Sequence, residues 1–311
     1  MTYVGLHTQI RRNNFRSVLL LIMFPAVILA LVWLFVFFVN GQTEQKLYDT
    51  NATFLRFIPW VTIAVFTWFI IAYLFHTGMI QKATGSVPLE RRDNKRVYNL
   101  VENLCIASGM KTPKINLIED DSLNAFASGI NDSTFTISLS RGIIGKLSDE
   151  ELEGVIAHEL THIRNRDVRL LIISIIFVGI FAFMTEALFR VVQFGGGGGS
   201  KGKKGGGSII LVALALAAVG YLLSTLFRFA LSKKREYLAD AGSAAMTKNP
   251  QALASALEKV TADSRIEAVH RKDVAQLFID NPGEKPKTVA FTSLFATHPP
   301  IEKRIAILRQ F

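Results

Sequence analysis

The chain of 311 residues carries a single cysteine, Cys105, which excludes a disulfide-built scaffold. Cys105 falls in an apolar helical stretch and reads as a core residue. Charge is also scarce. Charged residues make up 19% of the chain and hydrophobic ones 50%, a balance that excludes a disordered polypeptide. Acidic residues are the rarer sign, 25 against 35 basic, and the resulting +10 would suit nucleic acid. No nucleic-acid motif accompanies the basic residues, and the apolar excess points to a lipid bilayer instead.

What the chain has in quantity is long uncharged runs. Ser17 to Val39 gives 23 residues and Phe57 to Phe75 another 19, each enough for a helix across an apolar layer of about 30 Å. Pro25 and Pro59 lie inside these runs, where membrane helices tolerate proline. The first run follows Arg11, Arg12 and Arg16, as a signal peptide would. It is too long for an ordinary signal core, lacks an Ala-x-Ala cleavage site and is soon followed by a second run, so the two read as an uncleaved hairpin. Leu170 to Phe189 and Ile209 to Phe227 form a second apolar pair, joined by the Gly/Ser/Lys run Gly195–Ser208. This pair is expected to span or dip into the bilayer; a buried soluble helix pair is the competing reading. Arginines and lysines flank the outer ends of both pairs, which places both termini and the polar segments in the cytoplasm. Arg190, Lys201, Lys203 and Lys204 cut against full crossing by the second pair.

The expected organisation is therefore a cytoplasmic tail (1–16), a first transmembrane hairpin (17–75), a polar half-domain (76–169), a second membrane hairpin (170–227) and a second polar half (228–311). Asn94 to Met110 has a helical apolar period, Lys114 to Glu119 alternates like a short strand, and Ser133 to Ser140 reads as another. Ser148-Asp149-Glu150-Glu151 is a capping box that starts a helix. After the second hairpin the chain reads as mostly helical, ending in a short helix at Ile301 to Arg309 that Pro299 and Pro300 introduce.

The helix begun at Ser148 contains His158-Glu159-Leu160-Thr161-His162. Residues four apart share a helix face, so both imidazoles can bind one zinc ion, and Glu159 beside them can take a proton from its water. A catalytic zinc needs a third protein ligand. His270 and His298 are candidates; Glu236 is the strongest, because Asp240 follows four residues later on the same face. That spacing lets Glu236 bind zinc while Asp240 accepts a hydrogen bond from a ligand histidine, His158. For the oxyanion of a tetrahedral intermediate, His298 is the candidate electrophile with Arg304 in support. Tyr237 is an alternative for the electrophile, and a purely structural role for His298 stays open. Strand 133–140 is expected to take an extended substrate by edge pairing, and Asn124 to hold substrate backbone or to start a turn.

HExxH, the later Arg235-Glu236-Tyr237-Leu238-Ala239-Asp240, the upstream Asn124-Ala125-Phe126-Ala127 and His298-Pro299-Pro300 together resemble the HtpX family of membrane zinc endopeptidases, to which the prenyl-protein (CAAX) endopeptidases are related. The resemblance covers nearly the whole chain. It implies a mainly α integral membrane protein whose zincin-type catalytic domain has a small β-sheet and is interrupted by a transmembrane hairpin. It also implies one zinc ion held by His158, His162 and Glu236, with Glu159 as base. The implied partners are misfolded or damaged membrane proteins at the cytoplasmic face of a bacterial inner membrane. A prenyl-protein processing enzyme and a non-cleaving zinc scaffold are the competing functions. An intact Glu159 argues against the scaffold, since a structural zinc needs no base.

Overall fold

The computed structural model describes residues 6–40, 44–194, 211–222, 233–262 and 299–311. The described residues are mostly helical, with one small mixed sheet. Two long helices open it, α1 (Leu6–Val39) and α2 (Lys46–Thr84). Both are long and apolar enough to cross a membrane, and each carries its proline inside the helix. Ile22, Trp60, Phe66 and Leu74 point outward from them, the surface a helix presents to lipid and not to water. At the turn the pair is pinned by side chains: Trp33 Nε1 donates to Asn51 Oδ1 at 2.9 Å and Asn40 Nδ2 to Thr50 Oγ1 at 3.3 Å.

Strand β1 (Ser86–Pro88) and helix α3 (Lys95–Ser108) follow. Helix α3 starts on the Asn94 side chain, which accepts from the Val97 N–H, and stops at Gly109 in the left-handed conformation at φ 63°. Then come β2 (Lys114–Ile118), β3 (Ala125–Ser128), β4 (Thr136–Ser140) and the short α4 (Arg141–Lys146). The sheet order is β1-β2-β4-β3, with β2 and β4 parallel and the outer pairs antiparallel. The strand expected at 133–140 begins only at Thr136, because the Asn131 side chain accepts from the N–H groups of Ser133 and Thr134 and folds them into a turn. It is also central, so it offers no free edge to a substrate. Among the described residues the edge strand beside the histidine helix is β3, whose four residues are all buried, so no alternation announces it.

Helix α5 (Asp149–Arg164) carries HExxH. Its capping box forms as the sequence predicts: Ser148 accepts from the Glu151 N–H, and the Glu151 carboxylate accepts from the Ser148 N–H at 2.9 Å. Leu152, Val155, Ile156 and Leu160 are fully buried, which holds the helix against the sheet and its helical neighbours. The helix does not run on into the third apolar run. It ends at Asn165, and Arg166 takes φ 61°, an uncommon left-handed geometry for a side-chain-bearing residue, before α6 (Asp167–Phe194) begins. Helix α7 (Leu211–Leu222) is a shorter apolar helix. The remaining helices are α8 (Lys233–Thr247), α9 (Pro250–Ala262) and α10 (Ile301–Leu308). The glycine-rich run Gly195–Ser208 lies outside the described residues.

The chain forms two compact units. One comprises Met1–Ser17, Phe75–Ile172 and Phe229–Phe311; the other comprises Val18–Leu74 and Ile173–Arg228. In the first, α5 packs against α8, α9 and β3. Two close approaches set these distances. A Cβ on Gly154 would sit 3.1 Å from the Leu253 nitrogen of α9, and one on Gly242 would sit 2.3 Å from Thr161 Cγ2. Between them Ser243 of α8 donates to the Gly154 carbonyl of α5 at 2.7 Å.

Glu151 links the start of α5 to α9, accepting from Ser255 Oγ at 2.6 Å and Lys259 Nζ at 2.7 Å. Burial raises its pKa, but the hydrogen bonds from Lys259, Ser255 and Ser148 outweigh it and hold the carboxyl below the ordinary 4.5. A lowered carboxyl pKa stabilises the fold above the unfolded value and loses that contribution as pH falls through the folded one. Glu151→Ala is expected to cost about 2 kcal/mol near neutral pH, the Lys259 share being reduced by solvent. Denaturant unfolding of the solubilised chain should show the gap to wild type closing as the solution is taken below pH 4.5.

Candidate metal centre

The close α5–α8 approach brings His158 and His162 opposite Glu236, a carboxylate in the first turn of α8. His158 Nε2 lies 3.2 Å from His162 Nε2 and 3.6 Å from Glu236 Oε2, while His162 Nε2 lies 3.6 Å from Glu236 Oε1. His158 and Glu236 are buried, and His162 is partly so.

The other ring nitrogens explain why the facing ones are available. His158 Nδ1 meets Asp240 Oδ1 at 3.0 Å, and His162 Nδ1 meets Asp167 Oδ2 at 3.3 Å. A carboxylate can only accept, so one beside each Nδ1 favours the tautomer with the proton on Nδ1 and the lone pair on Nε2. Two lone pairs and a carboxylate converging within these distances repel one another unless a cation sits among them. Tetrahedral zinc with bonds of about 2.0–2.1 Å places its ligand atoms roughly 3.3–3.4 Å apart. The three observed separations fit that ion. Without a metal a proton serves as the cation: burial disfavours charge on His158, but hydrogen bonds to Asp240 and Glu236 prevail and push its pKa up to about 9.

Asp240 is held in turn by Arg304 of α10. Arg304 Nε donates to Oδ2 at 2.9 Å and Nη2 to Oδ1 at 2.8 Å, a two-pronged pair in a fully buried setting. The guanidinium thereby keeps the Asp240 carboxyl below its usual range against the pull of burial. Arg304 also comes within 3.5 Å of His158 Nε2 and 3.7 Å of Glu236 Oε2. A charge this deep needs its partners, and breaking such a pair costs several kcal/mol.

Glu159 is buried beside the triad, facing β3. Its carboxylate accepts from the Ala127 N–H, and burial raises its pKa, opposed by His158, His162 and that N–H. Asn124, also buried, stands at the head of β3, with its side-chain oxygen accepting from the Ala125 N–H at 2.9 Å. Asp167 escaped the sequence analysis. It reaches back to His162 only because Arg166 reverses the chain, and nothing in residue spacing signals that turn. His298 and His270 lie outside the described residues.

Comparison with known proteins assigns the chain to a family. The sequence model described as Peptidase family M48 matches residues 91–311. A protein named Protease HtpX homolog from Bacteroides fragilis is 58% identical over 322 residues, covering all of both chains. Proteins of the same name from Dictyoglomus turgidum and Lactobacillus helveticus are 40% identical over 76% of each chain and 32% identical over 98% of this chain and 99% of that one. The crystal structure of S. mikatae Ste24p, 21% identical, superposes with a TM-score of 0.50 over 94% of this chain and 67% of its own, a likeness of fold. The chain belongs to peptidase family M48 and is a membrane metalloprotease.

The α5–α8 contact gives a test of the centre's assembly. In Gly242→Ala the new methyl group meets Thr161 of the HExxH segment and pushes α8, with Glu236 and Asp240, away from the histidines. Equilibrium dialysis is expected to show metal affinity about tenfold weaker or worse. Adding Thr161→Ala, which clears Cγ2 and Oγ1 from that space, should restore most of it.

Proposed function

We propose that this M48 peptidase is a zinc endopeptidase that hydrolyses peptide bonds of misfolded or damaged membrane proteins at the cytoplasmic face of a bacterial inner membrane. The observation that carries the zinc assignment is the three-atom donor set, with both histidine tautomers set by carboxylates and spacings that suit a tetrahedral ion. When bound, zinc supplies a Lewis acid that acidifies a water molecule and polarises the scissile carbonyl. His158 Nε2, His162 Nε2 and Glu236 would hold it.

Glu159 acts as the base. It takes the water proton and passes it to the leaving nitrogen. Its burial favours this, because a carboxyl whose pKa is raised holds a proton long enough to deliver it. The Ala127 N–H fixes the carboxylate while it waits. Asn124 binds substrate backbone at the head of β3, whose outer edge takes an extended peptide by main-chain hydrogen bonds and so reads sequence only weakly. His298 supplies the electrophile for the oxyanion. Arg304 supports the site through Asp240, which its guanidinium grips. Polypeptides in or at the bilayer are the substrates. The four apolar runs form two hairpins, the second interrupting the catalytic domain, with both termini in the cytoplasm as the basic flanks favour.

Glu159→Gln separates chemistry from assembly. The variant is expected to bind one zinc per chain as wild type does and to cleave an unfolded protein about 10²–10⁴-fold more slowly. Cleavage by the zinc-loaded variant at the wild-type rate would remove Glu159 from the mechanism. A folded, zinc-loaded wild type that cuts neither unfolded nor membrane substrates would favour a zinc-holding scaffold.

A further inference from the structure

The two histidines are oriented differently. His158 is served by Asp240, which a charged guanidinium from the C-terminal helix grips. His162 is served by Asp167, which is gripped from the other end of the chain. Asn13 of α1, fully buried, donates through Nδ2 to Asp167 Oδ1 at 2.5 Å and to the Asn165 carbonyl at 2.9 Å. The partners are 154 and 152 residues away in sequence. Both acceptors are oxygens, so the amide can present only its NH2 to them, and its orientation is determined.

The arrangement is costly for a stabilising contact. Asn13 Oδ1 is buried and has no hydrogen-bond partner among the described residues. A buried amide oxygen left unpaired is destabilising, a cost that an aliphatic side chain would avoid. What the amide gains is control of one carboxylate. With Oδ1 of Asp167 on Asn13 and Oδ2 on His162 Nδ1, the carboxylate plane cannot rotate, and the imidazole it serves is held with Nε2 toward His158 and Glu236. The Asp167 main chain is braced as well: its carbonyl accepts from Arg235 Nη1 at 3.3 Å, next to Glu236 in sequence.

We propose that Asn13 is a positioning residue of the metal centre, acting through Asp167 to orient His162, so that the N-terminal turns of α1 are part of the zinc site. This rests on the zinc assignment above. Carboxylates that orient ligand histidines change metal affinity about 10–100-fold when lost, and a residue that positions such a carboxylate should reach the lower end of that range.

The test uses the full chain in detergent and reads zinc affinity by competition with a chromogenic chelator, together with the visible spectrum of the cobalt-substituted protein. Wild type, Asn13→Ala, Asp167→Ala and the double variant are compared, with the exposed Phe15→Ala as a control on the same helix. Asn13→Ala is expected to weaken zinc binding about tenfold and to shift the cobalt spectrum, Phe15→Ala to change neither. In the Asp167→Ala background, Asn13→Ala should add nothing. Unchanged affinity in Asn13→Ala, or a loss that adds in full to that of Asp167→Ala, overturns the proposal; the second result would make Asn13 a packing residue. If Asn13→Ala does not purify folded, Asn13→Leu, which keeps the volume and removes the donor, enters the same cycle under the same criteria. Zinc binding by His162→Ala as tight as by wild type would instead defeat the assignment of the centre itself.

Discussion

Three helices meet at the Asp240 carboxylate. From α5 comes the His158 imidazole, from α10 the Arg304 guanidinium, and Asp240 itself stands one turn beyond Glu236 on α8. A carboxylate, a guanidinium and an imidazole buried together are mutually dependent, since any one alone would carry an unpaired charge or donor out of water. Their pairing sets the spacing of α5 and α8, the tautomer of His158 and the direction in which Glu236 faces. The remaining features of the centre follow from those three. Gly242 and Ser243 allow the helices to approach, and the capping box at Ser148 with the Glu151–Lys259 link anchors α5 at its other end.

Two carboxylates, each serving one histidine, give the centre its polarity. Both Nδ1 atoms are committed outward, so both Nε2 atoms must converge. The resulting concentration of lone pairs makes the empty arrangement unfavourable and a bound cation favourable, which couples metal binding to the fold. The chain termini share in this. Arg304 comes from the last described helix and Asn13 from the first, and each reaches a different carboxylate. A truncation at either end would therefore disturb a ligand without removing one.

The helical parts of this arrangement could be read from residue spacing, because helical periodicity acts over four residues. HExxH and the Glu236–Asp240 pair are both local patterns, and the capping box announced α5. The long uncharged runs likewise announced α1 and α2. What escaped notice depends on contacts remote in sequence or on backbone geometry. Strand β3 is only four residues long and every one of them is buried, so nothing in Ala125-Phe126-Ala127-Ser128 alternates. Strand β1 contains a proline and three residues only. The left-handed Arg166 separates α5 from the third apolar run; that residue is tied to Asp132 at 3.0 Å and lies over the Phe135 ring, contacts no local pattern encodes. Without that break Asp167 could not fold back on His162, and without Asp167 the role of Asn13 is invisible.

X-ray absorption spectroscopy of the zinc-loaded full chain in detergent tests the central claim most directly. The donor set found here predicts one zinc with two imidazole shells and oxygen completing a four-coordinate sphere at about 2.0–2.1 Å. A third imidazole shell would show that a histidine takes the place given to Glu236, and a six-coordinate oxygen sphere would show that the three converging side chains do not bind the ion together; either result would contradict the account.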